Sequence, residues 1–414
     1  MEKKERLWGK YFILVCLAAL GTNICMNMLN ANLTPFANVY FQSKTLGGYM
    51  TTVFNVGSIL MAFFSGGLVD KYGRRNSLIA SALLFAIPTF AIAIWPTAAV
   101  TLAVRFVQGF GKGLFMVSSA AIVSDVIPRT RMGEGMGYYN LGGTISMAFG
   151  PMLALAITAN GNFPLMFVVC AILYGSAAVF GLGLGYEKDP AYADILRPAK
   201  VEETVSDVEY KGVWKLIEKK ALLPALNYTI FFGSNACILV FLTVFSQEIL
   251  GLSSTQISLF YTVSAIVMLL IRLFGGKLAD KYSALVTLIP AHLCNILSVV
   301  VLAFFCKGNY FMFLVCGALY GVAQALSLPT LNSIAVVDSP VGRNGAANAA
   351  FYFMMDFGIM IASAAFGPVI DKALTPELGY RSVYLISIAV GVFAMLMSIV
   401  CFNNKAREKR RAKL

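Results

Sequence analysis

Apolar stretches of roughly twenty residues recur along the chain from Tyr11 to Phe402, twelve of them, set apart by short polar turns. A helix of about that length crosses the ~30 Å hydrocarbon core of a bilayer. Lipid offers no hydrogen bonds, so only a backbone that closes all its own bonds can span it. The pattern predicts spans near 11–40, 46–69, 76–94, 97–127, 135–159, 163–185, 221–247, 254–279, 284–306, 309–337, 345–370 and 382–402. These consume most of the 414 residues, and only 13% of the chain is charged. A soluble domain carries about 25% charged residues. A soluble enzyme, a nucleic-acid binder and an outer-membrane barrel are thereby excluded, leaving an all-α polytopic membrane protein.

The net charge of +12 reads as topology. Lys3, Lys4, Arg6, Arg74, Arg75, Arg129, Arg131 and the tail from Lys405 to Lys413 all fall on the side shared by the two termini. Only Lys44, Lys307, Lys372 and Arg381 fall on the other side, and Arg105, Lys112 and Arg272 lie within spans. Basic loops stay in the cytoplasm, so both termini are expected there; the basic excess is a topology signal, no nucleic acid is expected as a partner, and contact of the tail with anionic membrane lipid is the lesser alternative. The first apolar segment is too long for a cleavable signal peptide. The eight cysteines (16, 25, 170, 237, 294, 306, 316 and 401) all sit in spans without CxxC spacing, which argues against disulfides and metal. One histidine, His292, supports neither a zinc protease nor a His-based triad. No glycine-rich nucleotide loop follows a strand, and no cofactor is expected.

The longest polar stretch, 187–220, carries eight acids and seven bases and parts six spans from six more. It defines an N-terminal bundle (1–186), a cytoplasmic connector (187–220) and a C-terminal bundle with a basic tail (221–414). The end of the connector, from Trp214, reads as a solvated linker or a short interfacial helix. The halves repeat each other. Gly66-Gly-Leu-Val-Asp70-Lys-Tyr72 after the second span matches Gly276-Lys-Leu-Ala-Asp280-Lys-Tyr282 after the eighth. Ser146-Met-Ala-Phe-Gly150-Pro151 in the fifth matches Ser363-Ala-Ala-Phe-Gly367-Pro368 in the eleventh. Two parallel six-helix repeats are a transporter architecture, with substrate expected near the midplane between them.

On these residues the chain resembles the major facilitator superfamily along its whole length. Gly66-Gly-Leu-Val-Asp70-Lys-Tyr-Gly73-Arg74-Arg75 is similar to the signature between that family's helices 2 and 3. Arg105-Phe-Val-Gln108-Gly109-Phe-Gly111 resembles its second motif. Ser146-x-x-x-Gly150-Pro151 is similar to the motif associated with antiporters, with Ser146 and Ala154 where glycine is often found. The second-half loop departs from the signature at Tyr282-Ser283-Ala284. The resemblance implies that Asp70, Arg74 and Asp125 form a charge network holding a cytoplasmic gate, with Asp280 and Asp338 as second-half counterparts; the alternative is a plain interfacial salt bridge.

Charge inside a bilayer is costly and marks function. Asp356 is the one acid deep in a span, sharing a helical face with Tyr352 and Ser363. A carboxyl there is a candidate proton-coupling site or else a packing carboxylate. Arg105, Gln108, Lys112 and Ser119 form one stripe on the fourth span. By family resemblance Arg105 couples protons or touches substrate; otherwise it bonds backbone carbonyls. Lys112 is the better clue to substrate, and Arg272 is expected to snorkel toward the cytoplasm. Asn23, Asn27, Asn30 and Thr34 make an amide stripe on the first span that either lines a cavity or glues helices. Asn140, Thr144, Asn227, Asn235 and Gln324 are further cavity candidates, and His292 is expected to be a packing residue.

The expectation is a monomeric secondary transporter of a small organic solute in a bacterial cytoplasmic membrane, working by alternating access. No ATP site is visible, so protons are the simplest driving ion. The Gly150-Pro151 motif favours efflux by antiport. Three buried cations against one acid favour an anionic or zwitterionic substrate, and keep open a proton-coupled importer of an organic anion or sugar. A non-transporting receptor or intramembrane enzyme is the distant alternative, since no nucleophile–base pair and no sizeable soluble domain are present.

Overall fold

A computed structural model describes residues 7–128, 131–189, 218–281, 284–339 and 344–402. Lys3, Lys4, Arg6, Arg129, the basic tail, most of the connector and Tyr282-Ser283 lie outside the described residues, as do the side chains of Asp70 and Asp280. The described chain is helical: α1 (Lys10–Phe41), α2 (Lys44–Tyr72), α3 (Arg74–Ile94), α4 (Ala98–Val126), α5 (Met132–Thr158), α6 (Phe163–Leu182), α7 (Leu222–Ser234), α8 (Ala236–Glu248), α9 (Ser254–Lys281), α10 (Ala284–Phe304), α11 (Tyr310–Val337), α12 (Asn344–Asp371) and α13 (Pro376–Cys401). They form 12 candidate spans, because α7 and α8 together make the seventh, Lys219–Glu248.

The break in that span is a local competition for one carbonyl. The Ser234 hydroxyl (2.6 Å) and the Asn235 amide (2.8 Å) both donate to the Phe231 oxygen. The Asn235 backbone N–H turns instead to Phe232, at 3.1 Å, a tighter step. Short polar side chains offer the backbone an alternative to the helical ladder, and hydropathy alone does not register it.

The helix starts on one side of the expected topology share a chemistry. Thr97, Asn162, Asn309 and Thr375 each accept from the backbone N–H three residues on, at 3.4, 3.1, 3.2 and 3.3 Å. Ser253 and Gln256 cap α9 reciprocally: Gln256 N–H donates to Ser253 Oγ (3.3 Å) and Ser253 N–H to Gln256 Oε1 (2.9 Å). The start of α2 is capped by Ser43, which accepts from Leu46 N–H at 3.1 Å, and by Asp371. Such caps satisfy amides that no helix can satisfy for itself.

The chain divides into two compact units, one of Met1–Gln42 and Tyr49–Thr204, the other of Ser43–Gly48 and Val205–Leu414. The first turn of α2 thus groups with the second unit. In the first unit α2 and α4 cross at glycine: a Cβ on Gly109 would lie 2.8 Å from Gly57 Cα and Ser58 N, and closer still to the Phe54 carbonyl. In the second unit a Cβ on Gly321 would overlap the Ser264 carbonyl, and one on Gly317 would lie 3.0 Å from that of Phe260. The α2–α4 crossing thus recurs as α9–α11, in the order the repeated sequence predicts. The helix-5 match is less regular. Pro151 stands seven residues before the end of α5, whereas Pro368 stands three before the end of α12. Gly150 packs on α1 at Ile24, Asn27 and Met28, but it is Gly358, not Gly367, that packs on α7, at Thr229. The two Ser-x-x-x-Gly-Pro strings match as letters yet lie about one helical turn apart in their helices.

Candidate functional site

In the first unit the charged stripe of α4 is buried. Arg105 is 2% exposed and Lys112 9%. Arg105 donates Nε–H to the Met50 carbonyl (3.3 Å) and Nη1–H to Gln108 Oε1 (2.8 Å). Gln108 passes the chain on, donating to Thr89 Oγ1 at 2.6 Å. The remaining Nη2 has no acceptor, and among the described residues no carboxylate pairs with this guanidinium. Phe54 of α2 faces both cations: Arg105 Cζ stands 4.1 Å from its ring centre and Lys112 Nζ 5.5 Å from the same ring. One aromatic ring therefore serves two cations, and the close Gly57–Gly109 crossing brings it there. Phe54 carries no charge or periodic mark, so sequence reasoning passed over it.

The α1 amide stripe divides. Asn27 donates to the Asn23 carbonyl (3.0 Å) and to Ser146 Oγ (3.2 Å), tying α1 to α5 beside Gly150. Ser146 itself donates to the Gly143 carbonyl at 2.7 Å. Asn23, Asn27 and Asn30 are half-buried and Asn140 is exposed. Pro151 lies buried inside α5.

Where α2 turns into α3, Arg74 pairs with Asp125 at the end of α4. Gly73 makes the turn at φ +85°, a conformation that favours glycine. Gly66 has nothing within 4 Å of an added Cβ. Two partners that the sequence did not announce complete the cluster. Tyr186, fully buried, donates its hydroxyl to Asp125 Oδ2 at 3.0 Å. Glu187 Oε1 accepts the backbone N–H groups of Arg74 (2.7 Å) and Arg75 (3.4 Å), capping α3. Arg75 reaches back to the Gly181 and Leu182 carbonyls at 3.3 and 2.9 Å. Burial pushes the Tyr186 phenol above its ordinary value, with Arg74 pulling the other way, so it stays a donor at physiological pH.

In the second unit Asp356 is 8% exposed on α12, and Tyr352 on the same helix accepts from Asn332 at 3.5 Å. Asn227 is fully buried and both ends of its amide are bonded. Its Nδ2 donates to the Ala394 carbonyl (2.9 Å) and its Oδ1 accepts from Ser398 (3.0 Å), which also meets His292 Nε2 at 2.8 Å. That buried chain fastens α7, α10 and α13, with His292 edge-on to Phe231. Asn235 spends its amide on the α7 break. Gln324 is buried with Nε2 unsatisfied, and Asp338 closes α11 as its C-cap. A second polar cluster was not anticipated. Asp371 accepts the N–H groups of Lys44 (3.2 Å) and Thr45 (2.7 Å) and the Ser43 hydroxyl (3.3 Å), while Lys44 Nζ pairs with Glu248 at 2.9 Å. Among the described residues no group of three metal-ligating side chains occurs.

A twelve-span chain built from two units with recurrent helix crossings and buried unlike charges defines a polytopic carrier. The profile of the Major Facilitator Superfamily matches residues 12–363, and the chain belongs to that family. It is 24% identical to the staphylopine export protein of Staphylococcus aureus over 72% of each chain. With the multidrug resistance protein MdtG of Yersinia enterocolitica it shares 22% identity over 96% of this chain and 94% of that one. Among solved structures, a D-xylose-proton symporter superposes with a TM-score of 0.75 at 16% identity, covering 95% of this chain and 97% of that one. The protein is a multi-pass membrane transporter of a small solute, not an enzyme.

Proposed function

We propose that this chain exports a small organic solute bearing an anionic group, in exchange for protons, across a bacterial cytoplasmic membrane. The observation that carries the reading is Arg105: a guanidinium 2% exposed, one nitrogen unsatisfied, with no carboxylate partner among the described residues. A buried cation without an anion is costly, and a solute carboxylate arriving beside Arg105 removes that cost. Asp356 is the residue assigned to the proton, because it is the one acid deep in a span. Relatives whose names describe staphylopine export and multidrug resistance support the outward direction. The Gly150-Pro151 motif supports it as well.

The test is proton movement in proteoliposomes loaded with a pH dye, across a panel of small carboxylic acids, zwitterions, sugars and cationic drugs. An acid or zwitterion is expected to drive proton flux, which Asp356→Asn abolishes and Lys112→Ala weakens at least tenfold. Flux driven by cationic drugs and indifferent to Lys112→Ala would overturn the substrate class. Proton and solute moving in the same direction would replace export with symport.

A further inference from the structure

The chain leaves α6 at Leu182 and enters the connector through a short 3-10 turn, Tyr186–Lys188. Nothing in the spacing of the signature loop calls for this turn, yet three elements of the first unit hold it. Tyr186 reaches the end of α4 at Asp125, Glu187 holds the start of α3, and Asp189 Oδ2 accepts from the Tyr11 hydroxyl of α1 at 3.2 Å. The Tyr11 and Tyr186 rings lie 6.0 Å apart. Gly73 completes the fit: a Cβ there would stand 3.3 Å from Glu187 Oε2, so the carboxylate occupies space that glycine leaves open.

Two of these contacts converge on one charge pair. Asp125 Oδ2 receives both Arg74 and the Tyr186 hydroxyl, and Glu187 grips the backbone of Arg74 itself. Glu187 is an anion at a helix start, where the orphan N–H groups and the helix dipole both favour negative charge. The Arg74 side chain is therefore anchored at its root by Glu187 and at its tip by Asp125. Neither end can leave without disturbing the other two residues.

We propose that Tyr186 and Glu187 are positioning residues of the Arg74–Asp125 pair, so that the pair opens only when the first turn of the connector undocks. Tyr186 aims the Asp125 carboxylate and Glu187 fixes the start of α3; the connector is thereby built into the charge network and sets how readily it parts. This inference does not rest on the substrate or the direction of transport, and it stands or falls separately from them.

The experiment uses the full-length protein in lipid nanodiscs and reads backbone hydrogen exchange at Arg74 and Arg75, whose N–H groups Glu187 accepts. Glu187→Gln is expected to speed exchange there directly. The discriminating variant is Tyr186→Phe, whose lost hydroxyl touches neither amide. If turn and pair open together, it speeds exchange at Arg74 and Arg75 by about tenfold, the factor that 1.4 kcal/mol makes in an equilibrium constant. In an Asp125→Asn background the same change adds less than twofold, because the hydroxyl has lost its charged partner. Tyr186→Phe leaving those amides unchanged overturns the proposal, as does an equal effect in both backgrounds, the mark of ring packing alone. Should Tyr186→Phe exchange rapidly throughout α1 and α6, and so be misfolded, Asp125→Asn alone serves. Its carboxylate also touches neither amide, and unaltered exchange at both would overturn the proposal equally.

Discussion

A methyl group added at Gly109 would press on Gly57 Cα and Ser58 N at 2.8 Å, and on the Phe54 carbonyl more closely still. None of these is the far end of a flexible side chain, so α2 would have to move. Overpacking of that kind costs about 1–3 kcal/mol, and in a unit of this size each kcal/mol lowers the melting temperature by roughly 2–4 °C. Gly109→Ala is therefore expected to melt several degrees below the wild type in detergent. Gly66→Ala, with nothing within 4 Å of its new methyl, is not. Equal melting of the two variants would show that α2 yields without cost. The contrast is instructive because both glycines stand in family-like motifs, and letters alone rank them alike. The same displacement would carry Phe54 away from Arg105 and Lys112, which makes the crossing a determinant of the cation site as well as of stability.

At the scale of elements, the start of α2 shows how a cap is made by a distant residue. Ser43 is the local cap, and Asp371, from the last position of α12, takes the N–H groups of Lys44 and Thr45. Removing a cap costs about 0.5–2 kcal/mol, and the negative charge adds favourable interaction with the helix start. Asp371→Ala is expected to speed exchange of the Lys44 and Thr45 amides about tenfold. Asp371→Asn, which keeps one acceptor oxygen, should fall between that and the wild type. Exchange unmoved by Asp371→Ala would show that solvent replaces the carboxylate without loss. Twelve spans were legible because burial in lipid demands about twenty apolar residues of each, and the repeat was legible because it is written in letters. The break at Asn235, the cap by Asp371 and the clamp by Glu187 were not. Each depends on where one polar side chain ends up, which no period records. For the same reason the sequence did not show that the Asn227 amide bonds to Ala394 and Ser398.

For the whole molecule, orientation in the membrane follows from how two kinds of polar group are dealt out along the sequence. The second, fourth, sixth, eighth, tenth and twelfth spans all begin at a side-chain cap, and the loops and first helical turns around those caps hold only Lys44, Lys307, Lys372 and Arg381 among the basic residues. Two of the four are neutralised locally: Lys44 by Glu248 at 2.9 Å and Lys307 by Glu377 at 2.9 Å. Arg381 lies over the Phe304 ring at 5.2 Å. Side-chain caps and neutralised cations present little obstacle to translocation, whereas apart from Arg105, Lys112 and Arg272 within spans the remaining basic residues fall on the opposite side, and Lys and Arg hold a loop in the cytoplasm. Both termini are therefore expected inside. A fluorescent protein fused after Leu414, which matures only in the cytoplasm, should light, and alkaline phosphatase inserted at Gly161 or Gly308, active only outside, should turn over. Gly161 and Gly308 suit insertion because both stand at positive φ in open turns, with nothing within 4 Å of an added Cβ. A dark C-terminal fusion with an inactive phosphatase at both loops would invert the topology. It would also place the Arg74–Asp125–Tyr186 network on the outer side, where the connector could not serve a cytoplasmic gate.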